Sequence, residues 1–78
     1  MLYNQIKVGD IAYYVFCEFD GSGIFKGQIT ECHADHVILL SEDVSYWIDK
    51  EDVSEKLAST EEGAKELLKK LQKGGLVL

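Results

Sequence analysis

The sequence contains no proline, only two cysteines and only eight basic residues beside fourteen acidic ones. Without proline, no turn is forced by a pyrrolidine ring, so glycine and short polar residues must make the turns. Two cysteines are too few for the disulfide framework of a small secreted domain, which usually carries four or more. We therefore expect Cys17 and Cys32 to be reduced thiols packed as small apolar groups, even if they face each other across paired strands.

Long apolar runs are also missing. No stretch approaches the roughly 18 apolar residues that span a bilayer. The first four residues, Met1 to Asn4, lack the basic start and apolar run of a signal peptide. We therefore expect a cytoplasmic protein with no membrane partner.

The shortage of positive charge leaves a net charge of −6 over 78 residues. A chain this acidic repels phosphate backbones, which disfavours nucleic acid as a partner. The lysines near the C-terminus alternate with Glu62 and Glu66, so they are typical of a solvated helix face rather than of a phosphate-binding patch. These lysines are Lys65, Lys69, Lys70 and Lys73.

Seventy-eight residues make a single domain, which we place at 1–78. An apolar fraction of 46% argues against disorder. The pattern divides the chain into a β-rich part, 1–58, and a helical part, 60–73.

The first predicted strand, 11–19, is apolar on both faces. Its residues alternate with period two and include β-branched and aromatic side chains, which is a strand signal. The first face carries Ile11, Tyr13 and Val15, and the second carries Ala12, Tyr14 and Phe16. Other parts of the protein must therefore pack on both faces of this strand.

Short strands and tight turns fill the rest of the β-rich part. Further strands are predicted at 24–32, 36–40, 44–48 and near 55–58, with turns at 20–23, 34–35 and 41–43 and a single helical turn at 49–52. Gly27 lies inside a strand, which indicates a bulge or a sharp bend. This spacing predicts a small barrel or sandwich, and a barrel would remove the exposed strand edges.

The segment 60–73 is predicted to be an amphipathic helix. Ser59 and Thr60 can cap it, and Glu62 stands three residues after Ser59, the capping-box spacing. Gly74 and Gly75 are expected to end it. The apolar stripe consists of Ala64, Leu67, Leu68 and Leu71. This stripe needs a surface, and we predict that it covers the second apolar face of the first strand; the apolar tail 76–78 receives no assignment.

Two parts of the sequence resemble known families. The segments 7–13 and 24–29 look like the opening of SH3-like barrels of the KOW and Tudor type. The segments 46–48, 52–53 and 60–64, followed by the Leu-rich helix, resemble small uncharacterised proteins of phages and prophages of Gram-positive bacteria. The chain departs from that second pattern at Gly63, where the pattern has an acid, and at Leu57, where it has Phe.

The resemblance implies the fold and almost nothing about activity. It implies a mainly β domain with one C-terminal α-helix, an SH3-like small barrel of about five antiparallel strands. The KOW likeness would suggest binding to RNA or the ribosome, but those modules are usually basic.

No residue pattern in the chain predicts catalysis, a metal or a cofactor. Cys32, His33 and His36, with Cys17, could be drawn as a zinc site, but the spacing is not that of a zinc finger. Neighbours on a strand point to opposite faces, which also argues against a Cys–His nucleophile pair. The acidic pairs are typical of solvated loops and a helix start. We therefore predict no enzyme activity.

The surplus of aromatic residues is the remaining candidate site. Neighbours on a strand face apart, so one of Tyr46 and Trp47 is expected to face outward. Aromatic side chains with a polar tip are favoured at protein interfaces. The predicted partner-binding residues are Tyr14, Phe16, Tyr46 and Trp47; the alternative is that these rings belong to the core and its helix cover.

Two functions fit this reading. The first is a non-catalytic protein-interaction module, of phage or prophage type, that binds a protein partner or forms a homo-oligomer. The alternative is a nucleic-acid-related role, either KOW-like RNA binding or an acidic mimic of nucleic acid that inhibits a host enzyme.

Overall fold

The computed structural model describes residues 1–19 and 21–75, with side chains through Gln72. Its centre is an antiparallel sheet of five strands in the order β4-β3-β2-β1-β5. The strands are β1 (Ile11–Glu18), β2 (Gly21–Cys32), β3 (His36–Ser41), β4 (Val44–Asp49) and β5 (Leu57–Ala58). A 3₁₀ turn (Tyr3–Gln5) precedes them, α1 (Lys50–Lys56) joins β4 to β5, and α2 (Glu61–Gly75) follows β5.

The mainly β architecture and the five antiparallel strands are confirmed, but the sheet is open rather than closed. Within the described residues, β4 and β5 are the two ends of the strand order and do not pair with each other. The two residues of β5 pair with Tyr13 and Tyr14 of β1. A two-residue strand offers too few ladder hydrogen bonds to close a barrel on its far side.

The prediction of one helix is wrong, because the expected single helical turn at 49–52 is a seven-residue helix that begins at Lys50. Acidic residues in its first turn and Lys56 in its last complement the helix dipole. Lys56 also pairs with Asp52 one turn earlier, at 3.9 Å. Val53 is fully buried and holds α1 against the sheet.

The second helix begins one residue later than predicted and extends to Gly75. Its cap is Thr60, whose Oγ1 accepts a hydrogen bond from the Gly63 N–H at 3.1 Å. The capping box between Ser59 and Glu62 therefore does not form. The tail 76–78 and Asp20, the first residue of the predicted turn 20–23, lie outside the described residues.

Gly27 marks a close approach of two strands rather than a bulge. It pairs in register with Ala12, and the irregularity of β2 lies between Ile29 and Glu31. A Cβ atom at Gly27 would lie 2.5 Å from the Leu40 carbonyl oxygen and 3.0 Å from Leu39 Cγ. The backbone of β3 therefore lies so close to Gly27 that only glycine fits at this position.

Each face of the sheet carries one apolar cluster and one helix. The inner face is the one that bears Ala12, and α1 covers it through Val53. The buried residues of this face are Ile6, Ala12, Ile29, Val37, Leu39, Ile48, Val53 and Leu57. The outer face is the one that bears Val15, which packs under α2 with Ala58 and Ala64. The prediction that the amphipathic helix covers the second face of the first strand, which bears Ala12, Tyr14 and Phe16, is wrong. The leucine stripe of α2 packs on the Val15 face, and α1 packs on the face of Ala12. Among the described residues, no helix has the length and apolar content needed to cross a membrane.

The turn between β3 and β4 has an unfavourable sequence for its conformation. Ser41 pairs with Val44, so Glu42 and Asp43 form a two-residue hairpin link. Both have positive φ, 49° and 66°. This left-handed conformation matches the twist of a hairpin but favours Asn and Gly over residues such as Glu.

The double substitution Glu42→Asn and Asp43→Gly is expected to raise the free energy of unfolding by about 1 kcal/mol, because it supplies the residues that this turn prefers. Urea unfolding followed by circular dichroism measures the change. Ser45→Gly is the control, because Ser45 lies in the adjoining strand without positive φ. The Ser45→Gly variant should have a lower free energy of unfolding. A lower free energy of unfolding in the turn variant would contradict the prediction.

Candidate interaction surface

The structure brings together three of the four predicted partner-binding residues and separates the fourth. Tyr14, Phe16 and Tyr46 lie on the inner face, whereas Trp47, next to Tyr46 on β4, lies on the outer face. The alternation of side chains along a strand enforces this separation. Trp47 is therefore the member of the pair that faces outward, with 62% of its surface exposed.

Four rings on the inner face stack into a continuous group, which we call the aromatic row: Tyr14, Phe16, Phe25 and Tyr46. The ring centroids of Phe16 and Phe25 are 4.9 Å apart, and those of Phe25 and Tyr46 are 5.3 Å apart, both stacked. Tyr14 and Tyr46 are tilted at 5.7 Å. Each ring is half-buried. Since Tyr14 and Tyr46 pack on the inner cluster, the row extends the core to the surface.

Strand register brings these rings together. Tyr14 pairs directly with Phe25 across β1 and β2, and Tyr46 pairs with Leu39 of the inner cluster. Phe16 pairs with Gly23, whose missing side chain leaves room for the ring; a Cβ atom there would lie 2.8 Å from Phe16 Cε1. Aromatic cross-strand pairs of this kind stabilise a sheet while they shape its surface.

Phe25 is the member of the row that sequence reasoning missed. The predicted four-residue loop at 20–23 would place Phe25 opposite Glu18. In the structure β2 already begins at Gly21, which pairs with Glu18, and Phe25 therefore lies opposite Tyr14. The alternation of β1 and β2 alone could not distinguish these registers.

A second ring stack lies on the outer face. The Trp47 indole and the His36 imidazole are nearly parallel, with centroids 3.4 Å apart and an interplanar angle of 8°. His33 stacks on the other side of His36, at 4.4 Å. The indole N–H donates a hydrogen bond to Asp49 Oδ1 at 2.8 Å. These contacts leave His36 only 8% exposed, while Trp47 keeps most of its surface in solvent.

Both histidines have carboxylate partners. His36 Nδ1 lies 2.6 Å from Asp35 Oδ1, and His33 Nε2 lies 2.8 Å from Glu31 Oε1. The hydrogen bond with the His36 side chain, aided by the charges of both imidazoles, holds the pKa of Asp35 below its ordinary value. The lowered pKa of Asp35 favours the ionised form of the carboxylate that neighbours His36.

The residues considered for zinc binding do not converge. The His33 and His36 rings stack, and Cys32 Sγ contacts the Ile6 carbonyl oxygen at 3.8 Å. Over residues 1–19 and 21–75, no three His, Cys, Asp or Glu side chains are arranged to hold a metal ion.

The two cysteines are free, but both are exposed, so the prediction that they pack as small apolar groups is wrong. They do not face each other, because Cys17 pairs with Ser22 whereas Cys32 pairs with Val37. They lie toward opposite ends of the β1–β2 hairpin, and neither has the interior position that packing would require.

Comparison with protein-family models, with curated proteins and with solved structures gives no match for this chain.

Proposed function

We propose that this chain is a non-catalytic protein-interaction module whose binding surface includes the aromatic row. The observation that carries the proposal is the stacking of four half-buried rings into one strip on the inner face. Aromatic residues are enriched at protein interfaces and supply much of their binding energy. A pre-stacked strip adds little ordering cost on binding, because the rings already restrict each other.

The charge around the aromatic row favours a protein over a nucleic acid. Glu18 follows Phe16 by two residues on the same strand and therefore lies on the same face. Glu42 and Asp43 form the turn that leads into β4, which bears Tyr46. With a net charge of −6, these carboxylates disfavour a phosphate backbone and favour a basic protein surface.

The proposal includes the architecture and origin suggested by the sequence. The open sheet is taken as a variant of the SH3-like small barrel, because β5 returns beside β1 and β3 lies unusually close to β2 at Gly27. The phage or prophage origin rests on the resemblance of segments 46–48, 52–53 and 60–64. The genes that flank this one test the origin: phage structural or replication genes would support it, and a housekeeping operon would count against it.

Phe16→Ala tests the binding surface, with Phe19→Ala as the matched control. Phe19 carries the same ring fully exposed and outside the aromatic row. Phe16→Ala is expected to weaken partner capture at least about tenfold, as truncation of a hot-spot aromatic residue does, while Phe19→Ala leaves it unchanged. Capture is measured by affinity purification from bacterial lysate with quantitative mass spectrometry. Equal capture by the Phe16 variant, with its fold confirmed by circular dichroism, would exclude the aromatic row.

A further inference from the structure

Among the described residues, no strand pairs with the outer edge of β4, a regular strand whose one charged residue is Asp49 at its end. Its six residues, Val44–Asp49, pair with β3 in an uninterrupted register. They include no lysine and no proline, and no bulge twists the strand away. Natural sheets block exposed edges with such features because a bare edge pairs readily with another strand.

The outward backbone groups of β4 can be assigned from the register. The pair Ser41–Val44 closes a two-residue hairpin link and is therefore a hydrogen-bonded pair. Hydrogen-bonded and non-hydrogen-bonded pairs alternate along the ladder. The residues whose N–H and C=O groups point away from β3 are thus Ser45, Trp47 and Asp49.

Contacts on the opposite side of β3 agree with this assignment. Ile38 and His36 are opposite Trp47 and Asp49, so their carbonyls should point away from β4, toward β2. The His36 carbonyl indeed accepts a hydrogen bond from the His33 N–H at 2.9 Å. The Ile38 carbonyl accepts one from Thr30 Oγ1 at 3.5 Å.

An added strand would contact an aromatic side chain on each face of the sheet. Tyr46, a member of the aromatic row, projects from β4 on the inner face, and Trp47 projects from the middle of β4 on the outer face. Main-chain hydrogen bonds give such pairing its affinity, and alternate side chains give it specificity. The edge therefore joins the two aromatic groups into one binding surface.

The charges that surround β4 define the occupant. Residues 42–52 contain five acidic side chains and one lysine. The acidic residues are Glu42, Asp43, Asp49, Glu51 and Asp52. The lysine, Lys50, extends over the Tyr3 ring, with Nζ 5.4 Å from the ring centroid. Carboxylates at both ends of an unpaired edge favour a basic strand.

A second copy of this chain is a poor occupant. An antiparallel pair of β4 strands centred on Trp47 would bring the acidic turn before β4 of each copy near the acidic first turn of α1 of the other. Like charges brought together in this way repel each other, and each chain has a net charge of −6. A basic peptide segment has no such conflict.

We propose that β4 accepts an extended, lysine- or arginine-rich segment of a protein partner as a sixth strand, held by the outward groups of Ser45, Trp47 and Asp49. This inference rests on the proposed function, since it names the partner segment and the edge that the interaction module uses. The partner strand pairs along the edge of β4, with the Tyr46 ring on one face of the sheet and the Trp47 ring on the other. Its basic side chains face the carboxylates at the two ends of β4.

Amide hydrogen exchange of the full chain tests strand addition directly. The probe is an octapeptide of alternating lysine and valine with acetylated and amidated ends; the control has glutamate in place of lysine. At saturating lysine peptide, the Ser45 and Trp47 amides should exchange at least tenfold more slowly, because each becomes hydrogen-bonded. The glutamate peptide should give no protection, and equal protection by both peptides would overturn the charge argument.

Ser45→Pro and Ser45→Ala form a matched pair for the same probe. Proline removes the outward N–H, and an edge position tolerates it, while alanine keeps the N–H and removes only the hydroxyl. The proline variant should lose at least tenfold in affinity, and the alanine variant should bind as the parent does. A lysine–valine peptide that is N-methylated on every residue tests the unmodified protein; it has no backbone N–H on either edge and should not bind.

The outcomes separate this inference from the proposed function. If the peptide changes the hydrogen exchange of the aromatic row but does not protect the Ser45 and Trp47 amides, strand addition is wrong. The proposed interaction module would remain consistent with that result. A concentration-dependent dimer that protects the same two amides without peptide would show a second copy as the occupant and overturn the basic segment. The proposed function is tested separately: equal partner capture by the Phe16→Ala variant would contradict it.

Discussion

Gly27→Ala is expected to lower the free energy of unfolding by about 3 kcal/mol. The added methyl group would lie 2.5 Å from the Leu40 carbonyl oxygen, so the backbone of β3 must move. Overpacking of a well-packed site typically costs about 1–3 kcal/mol, and a contact with backbone, which cannot rotate away, belongs at the upper end of that range. A domain of this length has a total stability of roughly 4–12 kcal/mol, so the loss is a large fraction of it.

Gly21→Ala is the matched control for this substitution. Gly21 lies in the same strand, is exposed, and has no atom within 4 Å of an added Cβ. Its replacement should change stability by less than about 0.5 kcal/mol, the usual range of surface substitutions. Urea unfolding of both variants measures the difference. Equal stability of the two would show that β3 does not approach β2 as closely as described.

Ala64→Lys is expected to cost about 3–5 kcal/mol and to detach α2 from the sheet. Ala64 lies on α2 and is fully buried against Val15 and Ala58. An unpaired charge in that position costs several kcal/mol. Undocking of α2 would instead expose Leu67, Leu68 and Leu71. Burial of such a side chain contributes about 1.5–3 kcal/mol when complete. The three leucines are only half-buried in the docked state. The free-energy cost of undocking α2 is therefore about the same as that of burying the lysine.

Gln72→Lys controls for the new side chain and its charge. Gln72 lies on the exposed side of α2, where its amide donates a 3.3 Å hydrogen bond to Ser22 Oγ. This variant should retain nearly full stability. Hydrogen exchange of the α2 amides distinguishes undocking from global unfolding, since α2 should lose protection before the strands do. Full protection of α2 with lysine at position 64 would show that the helix does not depend on this contact.

The strands and the second helix were predictable because each has a strong local signal. Residues 11–18 alternate with period two, and Ala64, Leu67, Leu68 and Leu71 recur with the period of a helix. The sequence also required a cover for both faces of β1, and the structure supplies the outer cover with α2. These features depend on hydrophobic burial, which the order of residues encodes directly.

Closure of the sheet and the length of α1 were not predictable in the same way. Closure depends on whether the last strand is long enough to pair on both sides, and β5 has two residues. The segment 50–56 is polar except for Val53, so it has no apolar stripe to reveal its length. Its helix is decided by one buried contact and by charges near its ends.

The candidate site was predictable only in part. Period two placed Tyr14 and Phe16 on one face and separated Tyr46 from Trp47. Whether Phe25 joins them depended on the length of the hairpin link, which the glycines of 20–23 obscured. The stacking of His33, His36 and Trp47 depends on the pairing of β3 with β4 and on a turn that brings His33 back, and composition carries no trace of either.

The indole on the outer face gives the protein a built-in optical probe. The chain has one tryptophan, and it stands at the centre of the exposed edge against an imidazole ring. Its fluorescence therefore reports on this one location without any attached dye. A strand that covers Trp47 should shift the emission to shorter wavelengths, whereas a ligand confined to Phe16 on the other face should leave the emission maximum where it is.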